Sequence, residues 1–271
     1  MKTDIEKIQE KSKSVLFALL HIFEKYNLTY FLARGSFLGA VRHNGCIPWD
    51  DDIDISMPRD SYEKFLSVID ELPENLQVRN FKTDPEYRYF ITRVLDKTMK
   101  VVDLRSKEIT HPAVDIFPLD GSPNNIIARK VYFFRMMFLR ILLSMANRDV
   151  IDENRKRNIF ERVLVSIIVR TPFEKILSEE RLKYTLEKRM KSYSYESSEY
   201  VGCLMGAYRL TEMMPKSWYS DGKEYSFESS LVIGPSNDSS YLTHLYGDYM
   251  QIPDEESIQS KIHYQIYSED S

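Results

Sequence analysis

The stretch that decides the fold runs from Arg34 to Ile55 and reads RGSFLGAVRHNGCIPWDDDIDI. The segment just before it, Thr29 to Ala33, is apolar and rich in β-branched and aromatic residues, which predicts a short strand. Phe37 to Val41, directly after Gly35-Ser36, is apolar and predicts the start of a helix. The sequence therefore predicts a strand, a turn at the Gly-Ser pair and a helix, because glycine lets the backbone turn tightly.

An acidic run follows this turn. From Trp49 to Met57 the residues alternate, so that Asp52 and Asp54 share one face while Ile53 and Ile55 share the other. We predict a strand over this segment. We expect Asp50 and Asp51 to lie at its entrance, where solvent satisfies them.

Four carboxylates within five residues repel one another strongly. Two such charges near 4 Å apart cost about 4 kcal/mol at the effective dielectric of a protein surface. A divalent cation offsets this cost, and Mg²⁺ prefers carboxylates together with phosphate oxygens. Asp115, in the short predicted strand Ala113 to Pro118, is a third candidate carboxylate. The sequence favours a metal and phosphate site over its alternatives, an exposed acidic loop or a structural Ca²⁺ site.

The rest of the chain supplies helices, weaker strands and a basic segment. Helices are predicted at 5–25 and 60–72, weaker strands at 88–95 and 101–104, three helices within 124–191, and strands and loops from 200 onward. The segment 124–191 carries 16 Lys/Arg against 8 Asp/Glu, although the chain as a whole has a net charge of −4. This charge suits either peripheral contact with an anionic membrane through 129–170 or a helical subdomain that buries its own apolar faces. Nucleic acid is not expected, since the aromatic residues form stripes typical of a core.

The composition argues against several other classes of protein, namely disordered, disulfide-rich, secreted and membrane-spanning proteins. The 271 residues are 43% hydrophobic, which is enough for a sizeable core. Cys46 and Cys203 are far apart and suggest neither a zinc site nor a disulfide framework, which suits a cytoplasmic setting. The polar N-terminus predicts no signal peptide, and no apolar run is long enough to predict a membrane span.

The stretch from Arg34 to Ile55 resembles the signature of the LicD family of phosphocholine transferases, which fukutin-related proteins share in part. Further agreement lies in VDIFPLDG at 114–121, LYGDYM at 245–250, Pro215 with Trp218, Phe227-Glu228, Pro253 and His263. The resemblance covers about 15–123 and 200–263. It implies an α+β fold, with a nucleotidyltransferase-type mixed sheet, flanking helices and a helical insertion. The implied division is a catalytic core at 1–123, the basic helical insertion at 124–191 and a segment at 192–271 that completes the core.

The resemblance also implies a site. Asp52 and Asp54 would be the metal ligands of an Asp-x-Asp motif and Asp115 the third carboxylate, holding Mg²⁺ or Mn²⁺, with two ions expected. One departure is that 15 residues separate Ser36 from Asp52, more than in most nucleotidyltransferases. The chain also lacks the zinc-binding cysteines of fukutin-related proteins.

The implied reaction takes CDP-choline or another CDP-alcohol, transfers its phospho-alcohol to a sugar hydroxyl and releases CMP. The acceptor would be a cell-surface glycan, such as a lipid-linked precursor of teichoic acid, capsule or lipopolysaccharide, at the inner face of the membrane. Asp115 is a candidate base for the hydroxyl proton. Candidate substrate contacts are Arg34, Gly35, Ser36, Arg42, His43, Trp49, Arg93, Glu228, Asp248 and His263. Each has a structural alternative, such as a salt bridge, a helix cap, a turn or core packing.

Two other functions remain open at this stage. The same carboxylates would serve an enzyme that moves a nucleoside monophosphate from a nucleoside triphosphate to a small molecule. A non-catalytic protein that binds metal or glycan is the third hypothesis, and the intact Asp52, Asp54 and Asp115 argue against it.

Overall fold

The computed structural model describes residues 2–84, 87, 89–146, 177–206, 208–259 and 261–268. The chain divides into two compact units. The first comprises Met1–Leu119 and Val201–Ser271, and the second comprises Asp120–Tyr200.

The first unit begins with a long helix, α1. It spans Asp4–Lys25 and starts with a capping box, in which the side chain of Thr3 accepts a hydrogen bond from the backbone N–H of Glu6 and the side chain of Glu6 accepts one from the backbone N–H of Thr3. Such a box satisfies backbone N–H groups that have no partner inside the helix. The apolar face of α1, which includes Val15, Leu19 and Phe23, is buried, as its helical spacing predicts.

Short strands and helices follow α1 in the order that the sequence predicts, with two further strands, at 76–79 and 109–110, that were not predicted. They are β1 Phe31–Leu32, α2 Arg34–His43, β2 Ile53–Pro58, α3 Arg59–Leu66, β3 Leu76–Arg79, β4 Thr92–Asp96, β5 Val101–Asp103, β6 Ile109–Thr110 and β7 Ala113–Gly121. A 3₁₀ turn at Ile69–Glu71 lies between α3 and β3.

The main sheet has the order β1-β2-β7-β4-β3, in which β2 and β7 are parallel and the other pairs along this path are antiparallel. All six residues of β2 and all nine of β7 are buried, so both strands are covered on both faces. Off this path, β8 Tyr200–Gly202 pairs with β7 and with β9 Met214–Pro215. The mixed sheet and its flanking helices confirm the α+β prediction.

The C-terminal part of the first unit adds a hairpin and a last strand. Its elements are β10 Lys223–Phe227, β11 Ser230–Gly234, α6 Asp238–Tyr246, α7 Glu255–Gln259 and β12 Tyr264–Ile266. Strand β12 pairs with β5, which also pairs with β6. The short strands predicted after residue 200 are present, but α6 and α7 were not predicted there.

The second unit contains α4 Ile126–Ala146 and α5 Glu179–Met190 among its described residues. The Tyr132 hydroxyl of α4 donates to the carbonyl oxygen of Arg189, and the ring of Tyr132 meets that of Tyr193 edge-on. The third predicted helix of 124–191 falls largely on residues 147–176, which lie outside the described residues. No helix in the described part combines the length and the hydropathy needed to cross a membrane.

Several predicted boundaries were wrong. The turn predicted at Gly35-Ser36 lies inside α2, which begins at Arg34, and the strand predicted at 88–95 begins at Thr92. The strand predicted from Trp49 begins at Ile53, because a turn precedes it in which the Asp50 N–H donates to the carbonyl of Ile47 at 3.0 Å. The helix predicted at 60–72 ends at Leu66 and is followed by the 3₁₀ turn.

Candidate active site

The start of α2 holds Asp54 by its backbone. The Ala33 N–H donates to the Asp54 carbonyl at 2.9 Å, and the Asp54 N–H donates to Ser36 Oγ at 2.8 Å. Ser36, a predicted substrate contact, lies in the first turn of α2, and its oxygen links α2 to β2. Both backbone groups of Asp54 are therefore fixed by residues at the start of α2.

Asp54, Asp115 and Arg93 occupy opposed positions on three neighbouring strands. Asp54 on β2 is the register partner of Asp115 on β7, and Asp115 is the partner of Arg93 on β4. Opposed residues of paired strands project to the same face of a sheet. Arg93 Nε and Nη2 donate to the two oxygens of Asp115 at 2.6 and 2.7 Å, the bidentate geometry that suits guanidinium and carboxylate.

The carboxylates near β2 carry more negative charge than their surroundings neutralise. Burial raises the pKa of Asp54 well above its usual value, repulsion from Asp52 adds to this, and the charge of Arg34 opposes it. Burial also raises the pKa of Asp52, while the charge of His263 lowers it. Such shifts mark a site that would gain from added positive charge.

Arg34 approaches this cluster from the start of α2. Arg34 is only 5% exposed. Its guanidinium lies 3.3 Å from the centre of the Phe117 ring, and its Nη1 atom lies 4.0 Å from Asp54 Oδ2. Nη2 donates to Glu212, whereas Nε and Nη1 are buried without a hydrogen-bond partner. The backbone of Arg34 is in the left-handed region, at φ 50°, which few non-glycine residues adopt. Two donors of a buried cation are thus left for another group.

Glu212 is a residue that the sequence reasoning missed. It is buried, pairs with Arg34, and accepts from the backbone N–H of Tyr208 at 3.1 Å. It lies in a 3₁₀ turn, Arg209–Glu212, outside every recognised motif. A partner 178 positions away from Arg34 leaves no local signal in one sequence.

The expectation that solvent satisfies Asp51 was wrong. Asp51 is 1% exposed, its Oδ2 accepts from the backbone N–H groups of His263 and Tyr264 at 2.7 Å each, and its Oδ1 lies 3.1 Å from His263 Nδ1. The carboxylate thus accepts the hydrogen bonds of two backbone N–H groups at the start of β12, where a backbone carbonyl would otherwise be needed. Asp51 therefore anchors the C-terminal strand, a long-range role that the acidic run did not reveal.

Asp50 is half-buried and lies against Gly35. A Cβ atom added at Gly35 would lie 2.5 Å from Asp50 Oδ2, so glycine is needed here for lack of space. Burial raises the pKa of Asp50 well above its usual value, and repulsion from Asp52 and Asp51 contributes.

The described residues contain one group of at least three metal-type ligands whose atoms all lie within 4.8 Å of one another. It is Asp50, Asp51 and His263, and not the predicted trio of Asp52, Asp54 and Asp115. Three of the roughly four acceptor positions of the Asp51 carboxylate are already taken up by His263 and Tyr264. We therefore attribute the approach of Asp50, Asp51 and His263 mainly to the anchoring of β12.

The remaining predicted contacts fall into two groups. Arg42 donates to the carbonyl of Tyr249 at 2.7 Å and lies 5.9 Å from the centre of the Trp49 ring, and Trp49 meets His43 edge-on. Burial lowers the pKa of His43, with help from the charge of Arg42. This cluster borders the acidic run through Trp49.

Glu228 and Asp248 lie elsewhere. Glu228 accepts from the backbone N–H of Cys46 at 3.2 Å and lies 3.4 Å from Lys13 Nζ, so it holds the loop between α2 and β2. Asp248 is exposed, in the turn that follows α6. Among the described residues, neither Glu228 nor Asp248 forms a hydrogen bond or an ion pair with the carboxylates of β2 and β7.

Comparison with known proteins agrees with this geometry. Residues 27–140, which contain Asp52, Asp54, Arg93 and Asp115, match the family described as LicD/FKTN/FKRP, nucleotidyltransferase domain. Over these residues the chain is similar to the LicD family. It is 27% identical over 237 residues to the lipopolysaccharide cholinephosphotransferase LicD of Haemophilus influenzae, a match that covers 86% of each chain.

Two shorter matches involve uncharacterized rickettsial proteins. One from Rickettsia typhi is 33% identical over 72 residues, which is 25% of this chain and 23% of that protein. One from Rickettsia prowazekii is 50% identical over 36 residues, which is 13% of this chain and 14% of that protein. These matches cover too little of the chain to bear on its reaction.

Proposed function

We propose that this chain is a LicD-type phosphotransferase that moves phosphocholine from CDP-choline to a sugar hydroxyl of a cell-surface glycan precursor and releases CMP. The observation that carries the proposal is the match to a cholinephosphotransferase over 86% of both chains. The bond from the sugar oxygen to the choline-bearing phosphorus forms. The bond from that phosphorus to the bridging oxygen breaks, and CMP leaves with its electrons.

The donor atoms near β2 fit Mg²⁺ or Mn²⁺. Asp52, Asp54 and Asp115 offer carboxylate oxygens, the hard ligands that these ions prefer. Burial, with repulsion among the carboxylates, raises the pKa values of Asp52 and Asp54, and a bound cation would offset both effects. We propose that these three residues hold the ion, with two ions expected. When bound, the metal neutralises the diphosphate and the charge that develops on it.

The bidentate contact from Arg93 fixes the orientation of the Asp115 carboxylate. Two of its four acceptor positions are used by Arg93, which leaves others for a metal or a hydroxyl. We propose that Asp115 accepts the proton of the acceptor hydroxyl. Its place beside Asp54 puts this base next to the metal ligands.

Arg34 is the best-placed cation for a donor phosphate. Its Nε and Nη1 atoms are buried without hydrogen-bond partners, and Nη1 lies 4.0 Å from Asp54. A guanidinium binds two phosphate oxygens at once. Arg42 is held by the carbonyl of Tyr249, so we assign it to the support of Trp49, which would stack on the cytosine base.

The same proposal assigns a role to each segment of the chain. The core segments 1–123 and 192–271 would carry the chemistry, and 124–191 would be an insertion. We propose that the acceptor is lipid-linked and that catalysis takes place at the inner face of the membrane. LPS, capsule and teichoic acid precursors share the sugar hydroxyl that the reaction needs.

A donor screen tests the reaction class. The purified protein would be incubated with Mg²⁺, a lipid-linked glycan extract and, in turn, CDP-choline, CDP-ribitol, CDP-glycerol or a nucleoside triphosphate. CMP release with CDP-choline and acceptor supports the proposal, and faster release with another CDP-alcohol reassigns the donor. Pyrophosphate release from a triphosphate, without CMP from any CDP-alcohol, would replace the proposal with nucleotidyl transfer.

A further inference from the structure

Helix α4 carries an exposed apolar stripe along one face. Its members are Ile127, Val131, Phe134, Phe138 and Ile141, all of them exposed, with Ile127 at 71% and Phe134 at 74%. Their spacing of four, three, four and three residues places them on one line of the helix. Because the line covers 14 helical steps, it extends for about 21 Å.

The opposite face of α4 is already used within its own unit. Tyr132, Met136 and Ala146 are buried there, and Tyr132 contacts Arg189 at the end of α5 and Tyr193 beyond it. The stripe is therefore a second apolar face, which the described residues of this unit leave exposed. Exposed apolar residues that occur singly are ordinary, whereas a continuous stripe indicates a binding surface.

Basic residues border the stripe on both sides. At 100° per residue, Lys130 and Arg135 lie on opposite flanks of the line through Phe134, and both are exposed. Helix α4 contains four Lys/Arg, namely Arg129, Lys130, Arg135 and Arg140, and no Asp or Glu. An apolar line with basic flanks is the pattern of a helix that lies in a membrane interface.

We propose that α4 lies along an anionic membrane surface, with its stripe among the acyl chains and its basic flanks at the lipid headgroups. The absence of acidic residues from α4 argues against a second copy as the occupant, because the copy would set basic flanks against basic flanks. Residues 147–176 also carry an excess of basic residues, seven Lys/Arg against five Asp/Glu. An anionic lipid surface complements both features, since each basic residue near it gains attraction from the surface potential.

Vesicle flotation tests the proposal with the full chain. The wild type would be mixed with vesicles of phosphatidylcholine alone or with 30% phosphatidylglycerol, at low and high salt. We expect at least tenfold stronger binding to the anionic vesicles and weaker binding as salt increases. Equal binding to both vesicle types, or no binding to either, would overturn the proposal without the use of any variant.

Variants then locate the surface. Phe134→Glu with Phe138→Glu, and separately Lys130→Glu with Arg135→Glu, should each weaken binding at least tenfold. The matched control is Leu231→Glu, which also replaces an exposed apolar residue, 62% exposed, but on the catalytic core; it should bind as the wild type does. The circular dichroism spectrum and the Tm of all three should match those of the wild type, which shows that they fold. If Phe134 and Phe138 instead prove necessary for a dimer in light scattering, a second copy is the occupant and the proposal fails.

Discussion

Asp54 on β2 and Asp115 on β7 are direct partners in the parallel pairing of their strands, and both side chains are buried. Two carboxylates in this relationship repel each other unless a cation or a proton intervenes. Arg93 donates to Asp115 at 2.6 and 2.7 Å, whereas Arg34, at 4.0 Å, is the one cation within ion-pair distance of Asp54 among the described residues. Asp54 is therefore the member of the pair that most needs another cation, and this need fits a metal site.

The first prediction is that Asp54→Asn stabilises the metal-free protein. Burial and the charge of Asp52 raise the pKa of Asp54, so its contribution to stability is fully present below the unfolded pKa of about 3.9 and is lost as pH rises through the folded pKa. The amide of the variant does not ionise, so the variant does not lose this stability. The difference in Tm between the variant and the wild type should therefore grow as pH rises above about 4. Thermal melts in a chelator across pH 4–8 measure this difference.

The same variant should lose its response to metal. Addition of Mg²⁺ should raise the Tm of the wild type and not that of Asp54→Asn, and CMP release should fall at least about 100-fold, since metal stabilisation of a transition state amounts to several kcal/mol. Asp221→Asn, which changes an exposed carboxylate just before β10, is the control and should keep both properties. An Asp54→Asn protein that still gains Tm with Mg²⁺ would remove Asp54 from the metal site.

The second prediction concerns the pair of Arg93 and Asp115. Arg93→Ala should destabilise the protein by about 3–5 kcal/mol, because it leaves a buried carboxylate without its partner. The double variant with Asp115→Asn should recover part of this loss. Urea unfolding of both single variants and the double variant gives the coupling energy. A coupling energy near zero would show that the contact contributes nothing to the folded state.

The third prediction is that Glu212 protects the metal site from Arg34. With Glu212→Gln the guanidinium loses its charged partner and turns further toward Asp54, now 4.0 Å away. It would then compete with Mg²⁺ for that carboxylate. We expect the Mg²⁺ concentration for half-maximal rate to rise several-fold, with a near-normal rate at saturating metal. An unchanged Mg²⁺ requirement would confine Glu212 to a structural role.

The fourth prediction concerns Gly35. Gly35→Ala places a methyl group 2.5 Å from Asp50 Oδ2, so the carboxylate or the turn must shift. We expect at least a tenfold loss of CMP release, since displacements near 1 Å are costly in catalysis. Gly35→Ala combined with Asp50→Ala relieves the crowding and should recover activity relative to Gly35→Ala alone. Without that recovery, Gly35 matters for a reason other than the space around Asp50.

Local patterns in the sequence were enough to predict the centre of the fold. Alternation identified β2, and apolar spacing identified α1 and α2. The shared face predicted for Asp52 and Asp54 stays a prediction, because β2 begins at Ile53. The pairing of Asp54 with Asp115 needed the parallel register of two strands about 60 residues apart, which periodicity does not encode. The apolar strand around Asp115 made it a candidate carboxylate, and the family resemblance assigned it as the third member of the site.

Long-range polar contacts were beyond the sequence. Asp51 was expected at the surface because acidic residues are mostly exposed, yet it is buried by bonds to the backbone of His263 and Tyr264. Glu212 was missed because a lone glutamate in a short turn resembles any surface residue. Arg42, selected as a phosphate contact, is bound to a backbone carbonyl more than 200 positions away. In each case the deciding partner lies on a distant segment.

Transfer of choline-labelled phosphate tests the central claim most directly. The protein would be incubated with Mg²⁺, a lipid-linked glycan acceptor and CDP-choline labelled in both the choline and the phosphate next to it. The account predicts that both labels move together to the glycan, with one CMP released per transfer, and that Asp54→Asn abolishes this while Asp221→Asn does not. Transfer of the CMP group to the acceptor instead, or label transfer that persists in Asp54→Asn, would contradict it.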